Sequence, residues 1–303
     1  MNQTHLAQPP AQQAAGAGLA RRTLAGMATP VLGLGCSRLG SITNTDPAAG
    51  PRLVAAAIDL GITLFDTADI YGQGDSERLL GGALRGHRQR VLLASKGGRR
   101  FSSLGRAAAM LKAPLRLASQ LSPALGQALR RGRGSQLAED FSPQHLGRAL
   151  EDSLRRLGTD YLDIYYLHSP SEAVIRRAEA AALLERCRAQ GKLRHLGIAV
   201  DEPAAAMAAL DWPGVAVIQA PLSPDRAPAF ASFLAAAAAR GVAVVARELL
   251  GGGVRLAGVT DKRAALAEAL SDALGRPAVA ACLIGTTRPE HLREAASAAT
   301  GLR

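Results

Sequence analysis

Eight short apolar runs, separated by longer stretches in which apolar residues recur every three or four positions, organise this chain. The runs are PVLGLG (30–35), ITLFD (62–66), VLLASK (91–96), YLDIYYLH (161–168), LRHLGIAV (193–200), VAVIQA (215–220), VAVVA (242–246) and ACLIG (281–285). Each has the length of a strand. Between them, helical periodicity is expected around 48–60, 76–85, 143–157, 173–190, 203–210, 225–240, 261–275 and 289–299. The segment FSPQHLGRALEDSLRRLG shows the logic. Ser142 suits an N-cap and Pro143 a first helical residue, Leu146, Leu150, Leu154 and Leu157 form one apolar stripe, and Gly158 suits the stop. A second helix is expected to be capped near Asp75 or Ser76 and to carry Leu79, Leu80 and Leu84.

Strict alternation of strand and helix implies parallel strands joined by right-handed crossovers. Eight such units predict an α/β fold, a (β/α)8 TIM barrel forming a single domain over 23–303. The rival is an open doubly wound sheet, whose first turn would carry G-x-G-x-x-G; GLGCSRLG (33–40) lacks that spacing. Residues 1–22, Gln-, Ala- and Pro-rich at their start, read as a disordered tail without the basic start and apolar segment of a secretory signal. One connection is far too long. After the third strand, residues 97–140 form an insertion where a loop of roughly 2–6 residues is usual. Within it, SSLGRAAAMLKAPLRLASQL is expected to form a short helix broken at Pro114. Such an insertion hangs over the mouth of a barrel, either as a mobile surface segment or as a substrate lid.

Composition narrows the function. Hydrophobic residues make up 48% and aromatics only 3%, so the core is aliphatic. No apolar run approaches the roughly 20 residues of a membrane span. Cys36, Cys187 and Cys282 are dispersed and odd in number, which suggests neither a disulfide framework nor a metal cluster and points to a reducing, cytoplasmic setting. The net charge is +11, yet only four of the 36 basic residues are lysine and the arginines are spread along the chain. With few aromatic platforms, that pattern argues against nucleic acid and for a small anionic ligand.

Four polar side chains stand at or just past strand ends: Asp66, Lys96 and His168 close the second, third and fourth strands, and Tyr71 follows Asp66 on a short loop. Neighbouring strands lie about 4.8 Å apart, so in a barrel these tips converge on the C-terminal rim, where barrel active sites lie. An unperturbed tyrosine has a pKa of about 10, and an adjacent ammonium is expected to lower it. Asp66 would pair with the lysine and His168 would hydrogen-bond a substrate oxygen. The set suits proton donation to a carbonyl as a hydride arrives from elsewhere. A strand-end acid can also be a mere cap, and a lone histidine a satisfied core residue. The force of the reading lies in the four coming together.

These segments resemble the aldo-keto reductases. FDTADIYGQGDSERLLGGAL, VLLASKGG, SLRRLGTDYLDIYYLHSP, GKLRHLGIAV and LIGTTRPEHLREA are each similar to a family motif, over about 30–300. The resemblance implies a barrel that binds NADP(H) across its rim and reduces a small carbonyl substrate without metal. Asp66, Tyr71, Lys96 and His168 would be the catalytic residues, with Tyr71 as general acid. It also implies that Ser169 and Gln219 meet the nicotinamide amide, that Gly285, Thr286, Thr287 and Arg288 hold the adenosine phosphate, and that Glu294 meets the adenine. Arg247, Leu249 and Gly251 of ARELLGGG, the stretch that replaces a common Tyr-Ser-Pro-Leu run, would also bind the cofactor; Arg247 takes the place of the aromatic, and a guanidinium can also stack flat on a ring. Ala199 and Val200 stand where serine and asparagine are common. Oxidation of an alcohol or sugar by the same residues, or a nicotinamide-sensing subunit with slow turnover, are the alternatives. The expected state is a monomer or small homo-oligomer, with no nucleic-acid or membrane partner.

Overall fold

A computed structural model describes residues 18–40, 48–101, 137–251 and 259–302. All eight apolar runs are strands, and all eight pair in parallel. In chain order they are β3 (Leu32–Gly35), β4 (Leu64–Asp66), β5 (Leu92–Gly97), β8 (Leu162–His168), β9 (Leu193–Ala199), β10 (Val215–Pro221), β11 (Ala243–Arg247) and β12 (Val279–Gly285). β12 pairs with β3, so the sheet closes into a (β/α)8 barrel.

Two apolar layers hold it. Alternate strand residues, among them Leu64, Ala94, Ile164, Tyr166, Val217 and Val245, fill the interior. The opposite faces pack against the helices in a second, larger cluster. With so few aromatics, small and large residues must interlock. A Cβ on Gly197 would lie 2.3 Å from the Tyr166 ring, so this glycine makes room for the largest interior side chain.

The outer helices are α1 (Ala49–Asp59), α2 (Asp75–Ala83), α3 (Pro143–Leu157), α4 (Glu172–Arg177), α5 (Ala181–Ala189), α6 (Pro203–Ala209), α7 (Ala231–Ala239), α8 (Lys262–Leu274) and α9 (Pro289–Ala299). α3 is built as its sequence predicts: the Ser142 hydroxyl accepts from the His145 amide, and Gly158 ends the helix at φ 64°. Elsewhere the expectations are refined. The helix expected over 173–190 is two, because Ala178 takes a left-handed φ of 48°. The stretch from 225 opens with a tight turn at Ala227–Phe230 before α7. Neither Asp75 nor Ser76 caps α2 from outside; the helix begins at Asp75. Ser76 instead is buried, donating to the Cys36 carbonyl (2.8 Å) and sharing a 2.9 Å hydrogen bond with the Thr67 hydroxyl.

Two hairpins lie outside the expected pattern. β1 (Arg21–Leu24) and β2 (Met27–Pro30) pair antiparallel, so ordered chain begins within the proposed tail of 1–22. Leu24 belongs to the interior cluster, and Arg22 donates to the Val279 carbonyl (2.6 Å) where β12 starts. The hairpin therefore covers the end of the barrel opposite the site. β6 (Arg99–Phe101) and β7 (Leu137–Glu139) pair as the stem of the 97–140 insertion. The helix expected around Pro114 lies outside the described residues.

Candidate active site

Strand alternation aims the chemistry. Asp66 follows Leu64, Lys96 follows Ala94 and His168 follows Tyr166 in the inward-facing columns, so all three project into the barrel mouth. Lys96 is buried. Its ammonium donates to Asp66 Oδ2 at 2.5 Å and to the Thr67 carbonyl at 3.0 Å. The second carboxylate oxygen, Asp66 Oδ1, accepts from Gln219 Nε2 at 2.9 Å. Three strands are thus joined by one charged chain of donors and acceptors.

The loop after β4 carries Tyr71 to this group. Its amides continue the ladder along β5: Thr67 donates to the Ala94 carbonyl (2.9 Å) and Asp69 to the Lys96 carbonyl (3.1 Å). The loop then reverses sharply through Gly72, Gln73 and Gly74, all at positive φ. Gly72 is required there, because a Cβ would lie 2.7 Å from the Gly40 carbonyl oxygen. The Tyr71 ring consequently meets His168 edge to face at a centroid separation of 5.8 Å, and the Lys96 ammonium lies 5.3 Å from the tyrosine ring centre. The four residues expected to converge do converge.

Their electrostatics differ from expectation in one respect. Burial raises the Tyr71 pKa; Lys96 opposes this by charge and by a hydrogen bond, yet burial, with Asp66 adding to it, prevails. The expected net lowering is therefore corrected: desolvation of a phenolate outweighs one neighbouring ammonium. The phenol stays protonated, the state a proton donor needs. Burial also works against the Lys96 charge, but Asp66 and Tyr71 together lift its pKa above the ordinary lysine value. Burial first, then Lys96, Arg99 and Arg247, hold His168 well below the usual histidine range, so its ring is neutral. Its buried Nδ1 has no partner.

The remaining expected residues fall into two groups. Gln219, Ser169 and Arg247 border the same mouth. Ser169 takes a left-handed φ of 51°, its amide donating to the Ala199 carbonyl (2.9 Å) and its own carbonyl accepting from Arg99 (3.2 Å). Gln219 Oε1 is buried without a partner. Arg247 pairs with Asp201 and Glu248 and donates to the Val200 carbonyl at 2.9 Å. Leu249 is buried in the outer core and Gly251 is half-buried. The second group lies at the end of β12 and on α9. Gly285, Arg288 and Glu294 are exposed and Thr287 is half-buried. The Thr286 hydroxyl is already committed to the Arg288 amide (3.1 Å) and the His291 ring (3.1 Å).

A polar layer behind the strands that carry Asp66 and Lys96 was not anticipated. Glu77, fully buried on α2, accepts from Ser95 (2.6 Å) and pairs with Arg156 of α3 (2.6 Å). Ser95 precedes Lys96, so this pair anchors β5 directly beside the lysine. The signal was available: Glu77 shares the helical face of Leu80 and Leu84, where an acid is out of pattern. Asp163, an acid inside an apolar strand, likewise holds Arg88 (2.9 Å), Arg194 (2.8 Å) and the Leu93 amide (2.9 Å).

Asp69 adjoins this layer. Burial, with Glu77 next, raises its carboxyl to about 8, and its Oδ1 is buried and unpartnered. An unfolded aspartate titrates near about 3.9. Between those values the folded chain holds one more proton than the unfolded chain, so this group makes stability fall as pH rises from about 4 to about 8. Asp69→Asn should remove that portion. In denaturant unfolding, the stability of the variant relative to the native protein should climb across this window; a difference independent of pH would contradict the raised carboxyl.

Among the described residues no group of three or more His, Cys, Asp or Glu side chains could hold a metal ion, and no helix is long and apolar enough to cross a membrane.

The barrel thus brings a buried Asp-Lys pair, a phenol and a neutral imidazole together at its C-terminal rim, and comparison with known proteins gives the class. Residues 31–269 match the aldo/keto reductase family, and the chain belongs to it. It is 32% identical to the 6-dehydroglucose reductase of Novosphingobium aromaticivorans over 81% of this chain and 73% of that protein. It is 33% identical to the methylglyoxal reductase YeaE of Escherichia coli, over 56% of this chain and 45% of that protein. The chain spans about half the length of several other curated relatives it matches. A Pseudomonas aeruginosa structure described as an aldo-keto reductase superposes with a TM-score of 0.72 at 26% identity, covering 93% of this chain and 95% of the other. A Klebsiella pneumoniae aldo/keto reductase solved with NADP and acetate shares the fold, with a TM-score of 0.66 at 23% identity over 91% of this chain and 88% of the other.

Proposed function

We propose that this protein reduces a small aldehyde or ketone to the alcohol with NADPH, with Tyr71 as the proton donor. The observation that carries the reading is the protonated Tyr71 phenol set against the buried Lys96–Asp66 pair and the neutral His168 ring.

The residues divide the work by their chemistry. A carbonyl oxygen entering the mouth would meet the Tyr71 hydroxyl and an N–H of His168. Both donors polarise the C=O bond before any transfer. As negative charge grows on that oxygen, Tyr71 gives its proton. The Lys96 ammonium, held in place by Asp66 and the Thr67 carbonyl, stabilises the phenolate left behind. His168 stays neutral and positions the oxygen instead of competing as the acid. Two side chains fit a nicotinamide cofactor. Gln219 has its NH2 tied to Asp66, which leaves the buried Oε1 as an acceptor for a carboxamide N–H. Arg288 is exposed next to the first turn of α9, where its planar fork suits a 2′-phosphate. When bound, NADPH would supply the hydride. Ser169, Arg247, Leu249, Gly251, Gly285, Thr286, Thr287 and Glu294 are the further residues proposed to hold it. The 6-dehydroglucose and methylglyoxal reductases among the relatives support a small polar carbonyl as substrate.

Two experiments test this. NADPH consumption with a panel of aliphatic and aromatic aldehydes and oxidised sugars should be readily measurable. Tight NADPH binding with no turnover on any of them would favour a sensing role instead. Arg288→Ala should weaken NADPH binding about tenfold or more, the loss of one charge-assisted phosphate contact, and NADH binding little. Equal losses for the two cofactors would rule out the 2′-phosphate contact.

A further inference from the structure

Arg247 is an inward-facing arginine of the barrel mouth, anchored on several sides. Val245 points into the barrel interior and Ala246 into the outer core, so Arg247 is the next inward position on β11, at the rim. Its side chain crosses above β10 to the tip of β9. There it donates to the Val200 carbonyl (2.9 Å) and pairs with the Asp201 carboxylate. The following residue, Glu248, takes a left-handed φ of 56°, which turns its carboxylate back onto the same guanidinium. Asp201 is itself fixed: its carboxylate lies 3.9 Å from Arg99 and its carbonyl accepts from Arg226 at 2.5 Å. Arg247 is thus held from several sides and not free to swing.

The pair is also oriented. Arg247 is only 16% exposed, whereas Asp201 and Glu248 are 47% and 48% exposed. Water screens the two carboxylates more than the guanidinium, so the inner end of this ion cluster is its positive end. That end faces the mouth: Arg247 is the inward rim position of β11, and its partner Asp201 reaches Arg99, which donates to the His168 carbonyl at 3.2 Å.

We propose that Arg247, held by Val200 and Asp201, biases this site toward carbonyl reduction by making the bound oxidised nicotinamide less favourable than the reduced one. The inference rests on the nicotinamide reading above and adds a direction to it. A hydride donor must lie against the carbonyl whose oxygen meets Tyr71 and His168, and therefore in the pocket that Arg247 borders. The dihydronicotinamide ring is neutral. Hydride transfer moves two electrons and a proton from its C4 to the carbonyl carbon, the second proton passes from Tyr71 to oxygen, and the ring is left with a positive charge. A fixed, half-desolvated cation repels that charge; an aromatic face at the same position would attract it. A ligand shifts an equilibrium only by its differential interaction with the two states, and Arg247 supplies such a difference between the two redox forms.

The test is binding, not turnover. Dissociation constants for NADPH and for NADP+ are measured on the full chain by calorimetry, with circular dichroism to confirm folding. In the native protein the constant for NADP+ should exceed that for NADPH. Arg247→Met, which removes the charge, should narrow the ratio about tenfold, equivalent to about 30 mV in the potential of the bound couple. Arg247→Lys, which keeps the charge, should preserve most of the native ratio. Asp201→Asn, which removes a counter-charge, should widen it. An unchanged ratio in Arg247→Met, or a narrowed one in Asp201→Asn, would overturn the proposal. If the native protein binds neither nucleotide, the cofactor reading itself fails, and that outcome is distinct from binding with an unaltered ratio.

Discussion

Replacing Tyr71 with phenylalanine is expected to lower kcat for aldehyde reduction about 100- to 10,000-fold, the usual contribution of a positioned acid. NADPH affinity should change by no more than about twofold, since an interaction made only in the transition state affects kcat without affecting ground-state binding. The substitution is well suited to the site. It keeps the ring that packs edge to face on His168 and removes only the hydroxyl beside Lys96. The two described neighbours are poorly suited to replace that acid: His168 is neutral at ordinary pH because burial and three cations disfavour its charged form, and the Lys96 ammonium is already bound to Asp66 and Thr67. Stopped-flow or steady-state measurement of NADPH consumption, paired with a binding titration, checks both halves. Turnover equal to that of the native protein would remove Tyr71 from the mechanism.

Asp66→Ala should act on both stability and activity. It strips the 2.5 Å partner from a buried ammonium and the 2.9 Å acceptor from Gln219. Breaking a buried ion pair from one side costs about 3–5 kcal/mol, because the surviving charge is left desolvated and alone. A domain of this size loses about 2–4 °C of Tm per kcal/mol, so a drop of roughly 6–20 °C is expected. The double substitution Asp66→Ala, Lys96→Met should recover much of that loss while remaining inactive, because it removes the orphaned charge as well. A Tm within about 2 °C of native for Asp66→Ala would show that the pair contributes little to the fold. Recovery of stability without activity would separate the two roles of the pair.

The barrel was legible because its information is local. Each strand is an apolar run that can be read without knowing its neighbours, and the strand-end placement of Asp66, Lys96 and His168 follows from the same runs. Alternation then dictates that these three face inward together. What escaped depends on partners distant in sequence. β6 and β7 are three residues each and gain their structure from pairing across the insertion. The β1–β2 hairpin mixes exposed and buried positions, and its turn at Ala25–Gly26, both at positive φ, is a short signal within an otherwise polar start. For Tyr71, the sequence supplied the sign of the lysine's effect but not the depth of burial, which proved the larger influence. Glu77 and Asp163 stood out of pattern on apolar elements, yet which arginines answer them is visible only once α2, α3, β8 and β9 are packed together.

A nicotinamide ring resting beside the Tyr71 hydroxyl would be seen directly in a crystal structure of the protein soaked or grown with NADP+. The ring should border Tyr71 and His168, with its carboxamide donating to the buried Oε1 of Gln219. A nucleotide bound with its ring outside this mouth, and Gln219 Oε1 still without a partner, would contradict it.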